Sequence, residues 1–120
     1  MMVAFANNQV IVAPSAGTST IYTDPVALGS NDRGAAVLMV HYMYGGTSST
    51  TLTYTAQVSN DGVEWVDSLL TDNVSAAGAT PKQKVADLNG AFVRFKIEYA
   101  IDAGSPGGVC FDLPVNLDRK

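Results

Sequence analysis

One histidine, one cysteine and eleven acidic residues are the side chains in this 120-residue sequence with most reach toward catalysis or metal binding. His41, being alone, excludes metal sites built on two or more imidazoles, and any Ser-His-Asp triad would have to run through it. It sits within Ala35-Ala36-Val37-Leu38-Met39-Val40-His41-Tyr42-Met43-Tyr44. In so apolar a run a histidine bonded to a carbonyl is expected, not a general base. Cys110 has nothing local to lower its thiol pKa, so a nucleophile paired with His41 is not expected either. The carboxylate pairs Asp61/Glu64 and Asp67/Asp72 fall in or beside turns, where solvation is the expected state. Set on an EF-hand, Asn60-Asp61-Gly62 puts Gln57 and Ser68 at the first and last ligand positions, which require Asp and Glu. A calcium reading is left only the loop oxygens of Asp24, Asn31 and Asp32. Gly104-Ser105-Pro106-Gly107-Gly108 joins two strand-like runs and opens no helix, so it lacks the amide-lined terminus that holds phosphate. No catalytic residue, cofactor or metal is expected.

The bulk composition points the same way. The length suits one domain over residues 1–120, large enough to bury a core without staples. Charged residues make up 15%, well under the usual ~25%, and Ser, Thr, Ala and Gly take their place. Surfaces that end against other subunits lose charge at their centres, although a Thr-covered sheet gives the same composition. The seven basic residues are scattered and the net charge is −4, so nothing matches a phosphate track and nucleic acid is not an expected partner. A single cysteine forms no internal disulfide. The opening Met1-Met2-Val3-Ala4-Phe5-Ala6 carries no basic segment and no long apolar run. Neither a signal peptide nor a membrane span is expected, which places the chain in the producing cell's cytoplasm or in a particle assembled there.

Elements able to position any of these groups are strands. Leu52, Tyr54, Ala56 and Val58 alternate with Thr51, Thr53, Thr55 and Gln57. Val93, Phe95, Ile97, Tyr99 and Ile101 repeat the pattern against Arg94, Lys96 and Glu98. Val109, Phe111, Leu113, Val115 and Leu117 repeat it again. Alternation of this kind marks half-buried strands. Gly, Pro, Asn and Asp punctuate them at 14–17, 29–34, 45–50, 59–62, 78–81, 89–90 and 102–108; residues 67–79 have room for a helical turn at most. About eight short strands with such turns predict an all-β, antiparallel two-sheet sandwich of jelly-roll type. Asn60-Asp61-Gly62 predicts a hairpin turn, with Trp65 closing it against the core. The last two strands, read as direct neighbours, are expected to pair with Phe95 opposite Leu113 and Lys96 opposite Asp112.

The run 35–44 is apolar on both faces. A two-layer sandwich covers one of them, that of Ala36, Leu38, Val40, Tyr42 and Tyr44, so the face of Ala35, Val37, Met39, His41 and Met43 needs a second cover from a loop, an arm or another subunit. Val37, Met39, His41 and Met43 are the candidate interface residues, and methionine suits an adaptable contact.

Ser59-Asn60-Asp61-Gly62-Val63-Glu64-Trp65, followed downstream by Ala91-Phe92-Val93-Arg94-Phe95-Lys96-Ile97, resembles the pattern of discoidin-like, galactose-binding jelly rolls. The same hairpin recurs in small β-sandwich modules of phage particles. The resemblance covers residues 50–101 and implies a jelly roll. The chain lacks the terminal cysteine pair of secreted discoidin domains, and no ligand residue carries over. The function expected is a non-enzymatic structural protein of a multimeric particle: a phage head-decoration (cement), minor capsid or tail accessory protein. It would be homo-oligomeric, with copies of itself or shell proteins as partners. The alternative is a carbohydrate-binding module, for which Tyr22, Tyr42, Tyr44 and Phe92 are the available aromatics.

Overall fold

Every second residue of 93–101 and of 109–117 is buried, and these two runs are the central strands of two different sheets. The computed structural model describes residues 1–14, 16–45, 50–75, 80–102 and 106–120. In chain order the strands are β1 (Met2–Ala13), β2 (Gly17–Tyr22), β3 (Val26–Ala27), β4 (Arg33–Tyr44), β5 (Thr51–Ser59), β6 (Val66–Ser75), β7 (Lys82–Asp87), β8 (Phe92–Ile101) and β9 (Gly107–Asp118). One sheet runs β1-β9-β4-β7 and the other β2-β8-β5-β6, with β3 also on β8. Every pairing is antiparallel.

β2 and β3 behave as one interrupted strand, since both pair with β8. Pro25 lies between them and has no N–H to give. Thr23 bridges the gap: its amide donates to the Phe95 carbonyl, and the Phe95 amide donates to its hydroxyl, both at 2.9 Å. Counted this way the sandwich has eight strands, and successive strands change sheet at every step except β5 to β6. That alternation is the jelly-roll order.

The same order overturns the expected hairpin of the last two strands. β8 pairs with β2, β3 and β5, whereas β9 pairs with β1 and β4. Phe95 and Leu113 therefore enter the core from opposite sheets and are not partners along a ladder. Lys96 approaches Asp67 and Glu98, at 3.8 Å each, instead of Asp112. Residues 66–75 form an edge strand where a helical turn was allowed for; Ala76–Ala79, and parts of the expected turns at 14–17, 45–50, 78–81 and 102–108, lie outside the described residues.

The core sits between the sheets, with Phe95 at its centre: its ring lies 4.7 Å from that of Phe5 and 5.8 Å from that of Tyr54. Tyr99 crosses the sandwich. Its hydroxyl, carried on β8, lies 3.1 Å from the Tyr44 carbonyl and 3.2 Å from that of Gly108, donating to the rim of the opposite sheet. At the other end, the β5–β6 turn is built as its sequence implies. Gly62 takes φ 77°, in the left-handed region. Asp61 Oδ1 accepts from the Ser59 hydroxyl at 2.9 Å, the Val63 amide at 2.9 Å and the Glu64 amide at 3.0 Å.

Candidate interaction faces

Two outward faces hold the side chains that sequence reasoning singled out. On the β1-β9-β4-β7 sheet, Ala36 and Leu38 of β4 point into the core, while Ala35, Val37 and Met39 point out and are half-buried. The alternation then slips. β4 pairs Val40 with Phe111 and next Tyr42 with Cys110, so His41 is an extra residue in a β-bulge. Beyond it the phase inverts. Tyr42 and Tyr44, expected inward, are half-exposed on the outer face, whereas Met43, expected outward, packs against the core. Met43 therefore leaves the candidate interface, and the two tyrosines, missed by period-two reading, extend it. Their rings stack at 6.3 Å and 27°.

Neighbouring strands continue this face. Val10 and Val12 of β1 lie beside Cys110 and Gly108 of β9, which lie beside Tyr42 and Tyr44. A Cβ on Gly108 would fall 2.7 Å from Tyr44 Cε1, so the glycine is what lets the ring lie flat over β9. Val12, at 59% exposure, and Tyr44, at 52%, show that no described segment of this chain folds over the face. β1 takes a place at the sheet edge rather than acting as a covering arm.

His41 is neither buried nor bonded to a carbonyl. Its Nε2 donates to Asp112 Oδ2 at 3.1 Å, and Asp112 Oδ1 accepts the Asn8 amide at 2.6 Å. Asn8 sits at a register shift of β1 with φ 50°. One carboxylate thus ties β1, β4 and β9 together. The Asn8 amide, followed by His41, holds the Asp112 carboxyl below its ordinary value. A histidine and acid joined in this way, with Cys110 buried, make a structural clasp.

On the other sheet the middle of the outer face is polar, with Leu69 exposed on the edge strand β6. Thr51, Thr53 and Thr55 line β5, and the Thr55 and Thr71 hydroxyls meet at 3.1 Å. Trp65 does not close the hairpin against the core. It precedes β6 with the parity of Asp67, which pairs with outward-facing Gln57, and it stands half-buried outside the sheet. The Arg94 guanidinium carbon lies 4.4 Å from the centres of both the Trp65 and Tyr22 rings. Arg94 Nε donates to Gln57 Oε1 at 2.9 Å, and Gln57 Nε2 donates to Asp67 Oδ1 at 2.9 Å.

The carboxylates considered for chemistry are occupied or apart. Asp61 staples its turn, and those amides hold its carboxyl below the ordinary value. Asp67 faces outward toward Gln57, while Asp72 meets Lys82 at 3.3 Å. Asp32 accepts the Lys120 amide at 2.8 Å. Among the described residues no three His, Cys, Asp or Glu side chains gather as metal ligands.

Fold and faces together define a jelly-roll β-sandwich whose outer surfaces differ: one sheet carries an apolar patch across β1, β9 and β4, and the other is lined by threonines with Leu69 exposed on its edge strand. No protein-family model and no curated protein matches the sequence, but solved structures share the fold. The VP2 subviral particle of infectious bursal disease virus aligns with a TM-score of 0.56 at 12% identity, over 99% of this chain and 32% of that one. The structure of the Gx strain of that virus aligns with a TM-score of 0.56 at 11% identity, over 96% of this chain and 30% of that one. TmCBM61, a carbohydrate-binding module solved in complex with β-1,4-galactotriose, aligns with a TM-score of 0.57 at 10% identity, over 91% of this chain and 69% of that one. The chain thus spans about a third of the length of the viral proteins. Identities this low speak for the fold alone.

Proposed function

We propose that this protein is a non-enzymatic structural component of a multimeric particle, of the kind found as phage head-decoration (cement), minor capsid or tail accessory proteins. The observation that carries the reading is the outer face of β1-β9-β4-β7. Val10, Val12, Tyr42 and Tyr44 stand there about half-exposed, with Val37 and Met39 half-buried beside them, in a chain otherwise well supplied with Thr and Ser. Aromatics and methionine with little free charge are the composition of interface centres. The jelly roll shared with a viral capsid protein supports the reading. His41, Val37 and Met39 act in it as contact residues, with no cofactor, and the chain resides in the particle or in the cytoplasm of the producing cell. Mass spectrometry of particles purified from producing cells tests this: the chain is expected at a fixed stoichiometry to the main shell protein. Its absence from every sedimenting particle would overturn the reading.

A second reading, sugar binding, is favoured by one observation. Tyr22 and Trp65 stand outside the Thr-lined sheet beside the amide of Gln57 and the guanidinium of Arg94. Trp65 is the only tryptophan, so its fluorescence reports on that spot directly. Titration with β-1,4-galactotriose and a glycan array would show a saturable change if this reading holds, and a flat response removes it.

A further inference from the structure

We propose that the outer face of β1-β9-β4-β7 docks a second copy of this chain, face to face about a two-fold axis; this rests on the structural-component reading above and names the partner. Shape is the first ground. A surface that fits a twisted four-stranded sheet is another sheet of the same hand, and two such sheets pack aligned with their side chains interleaved. A two-fold axis supplies that surface from the chain itself.

Size is the second ground. From Tyr44 to Ala35 the apolar part of β4 covers about 33 Å. β7 flanks β4 only from Arg33 to Leu38, so the face is four strands, about 19 Å, wide over that half and three strands, about 14 Å, wide from Met39 to Tyr44; two copies would bury roughly 1,100 Å², enough for a weak specific interface.

Charge is the third ground. A chain of net charge −4 meets its own copy most readily on a face that carries little free charge. On this face Asp118 is paired with Arg33 at 3.0 Å and Asp87 with Lys120 at 3.0 Å, while Asp112 is held by hydrogen bonds from His41 and the Asn8 amide. The acids of the β5–β6 turn, Asp61 and Glu64, belong to the other sheet's connection. Asp118 and Asp87 thus meet the copy already in ion pairs, which a basic partner would not require.

Sedimentation equilibrium of the purified chain tests the pairing. The wild type is expected to reach twice the chain mass by about 100 µM, within the ordinary affinity range of such interfaces. Val12→Lys and Val10→Lys alter only exposed side chains on the face and are expected to sediment at the chain mass with unchanged circular dichroism and melting at low concentration. Leu69→Lys, at a still more exposed position on the opposite sheet, is expected to keep the doubled mass. A wild type monomeric at that concentration, or a doubled mass surviving in the folded Val10 and Val12 variants, overturns the proposal. Either result leaves the particle reading to stand or fall on the presence of the chain in purified particles, so the two failures are distinguishable.

Discussion

The Arg94 guanidinium carbon lies 4.4 Å from the centre of the Trp65 ring, on the outer surface of its sheet and apart from the core. The Tyr22 ring lies at the same distance from it, so three large side chains stack outside the barrier that excludes water from Phe95. A cation over an aromatic ring at such a site contributes about 0.5–1 kcal/mol. Trp65→Ala is accordingly expected to cost about 1–2 kcal/mol in a urea melt. Phe95→Ala, which empties the centre of the sandwich, is expected to cost about 3–5 kcal/mol. Equal losses for the two variants would contradict this placement.

Two buried tyrosines should respond in opposite ways to loss of their hydroxyls. Tyr99 shares its one hydroxyl hydrogen across the sandwich between the Tyr44 and Gly108 carbonyls, and Tyr99→Phe should cost about 1–2 kcal/mol because the buried Gly108 and part-buried Tyr44 acceptors lose their donor. The Tyr54 hydroxyl is fully buried with no hydrogen-bond partner among the described residues, and burial pushes its pKa up. Tyr54→Phe should be neutral or stabilise by up to about 1–2 kcal/mol, since an unpaired buried hydroxyl is removed. Chemical denaturation of the pair measures both signs.

Gly62 holds φ 77° with nothing within 4 Å of where a Cβ would stand, so only backbone conformation opposes substitution. Gly62→Ala is expected to destabilise by about 1–2 kcal/mol, the cost of a left-handed L-residue. Gly62→Asn, which tolerates that region better, should recover part of the loss. A melting temperature unchanged in the alanine variant would mean the turn is not held as described.

Acid should unfold this protein through a small set of carboxylates. The Glu64 and Val63 amides lower the Asp61 pKa, the Asn8 amide that of Asp112 and the Arg33 side chain that of Asp118, each from an ordinary 3.8. Groups depressed in the folded state stabilise it fully above the unfolded value, and that stability disappears as pH falls through the folded value. The melting temperature should therefore hold from neutral pH to about 5 and fall below about 4. Asp112→Asn should melt lower at neutral pH and lose less on acidification. An unchanged acid slope in this variant would remove Asp112 from the set.

Local chemistry alone was enough for much of this molecule. The alternation at 52–58, 93–101 and 109–117 dictated which side chains enter the core, because a period of two leaves one face to each set. Asp61-Gly62 dictated the one hairpin joining sequential strands, because its turn needs only short-range donors and a left-handed glycine. The β1 strand was not legible: its apolar residues are interrupted by Asn7, Asn8 and Gln9, where the register with β9 shifts.

The tertiary structure alone decided which strands became neighbours. β8 and β9 satisfy the same sequence pattern whether they share a ladder or face each other across the core. Only closure of the whole sandwich separates those outcomes. It also placed the bulge at His41, which turned Met43 inward and Tyr42 and Tyr44 outward, and it set Trp65 on the polar side of the sheet. A bulge adds one residue on one strand relative to its partner, so it is a property of the pair. No periodicity within 35–44 carries that information, which is why the candidate face was half legible in sequence and acquired its tyrosines only when β4 met β9.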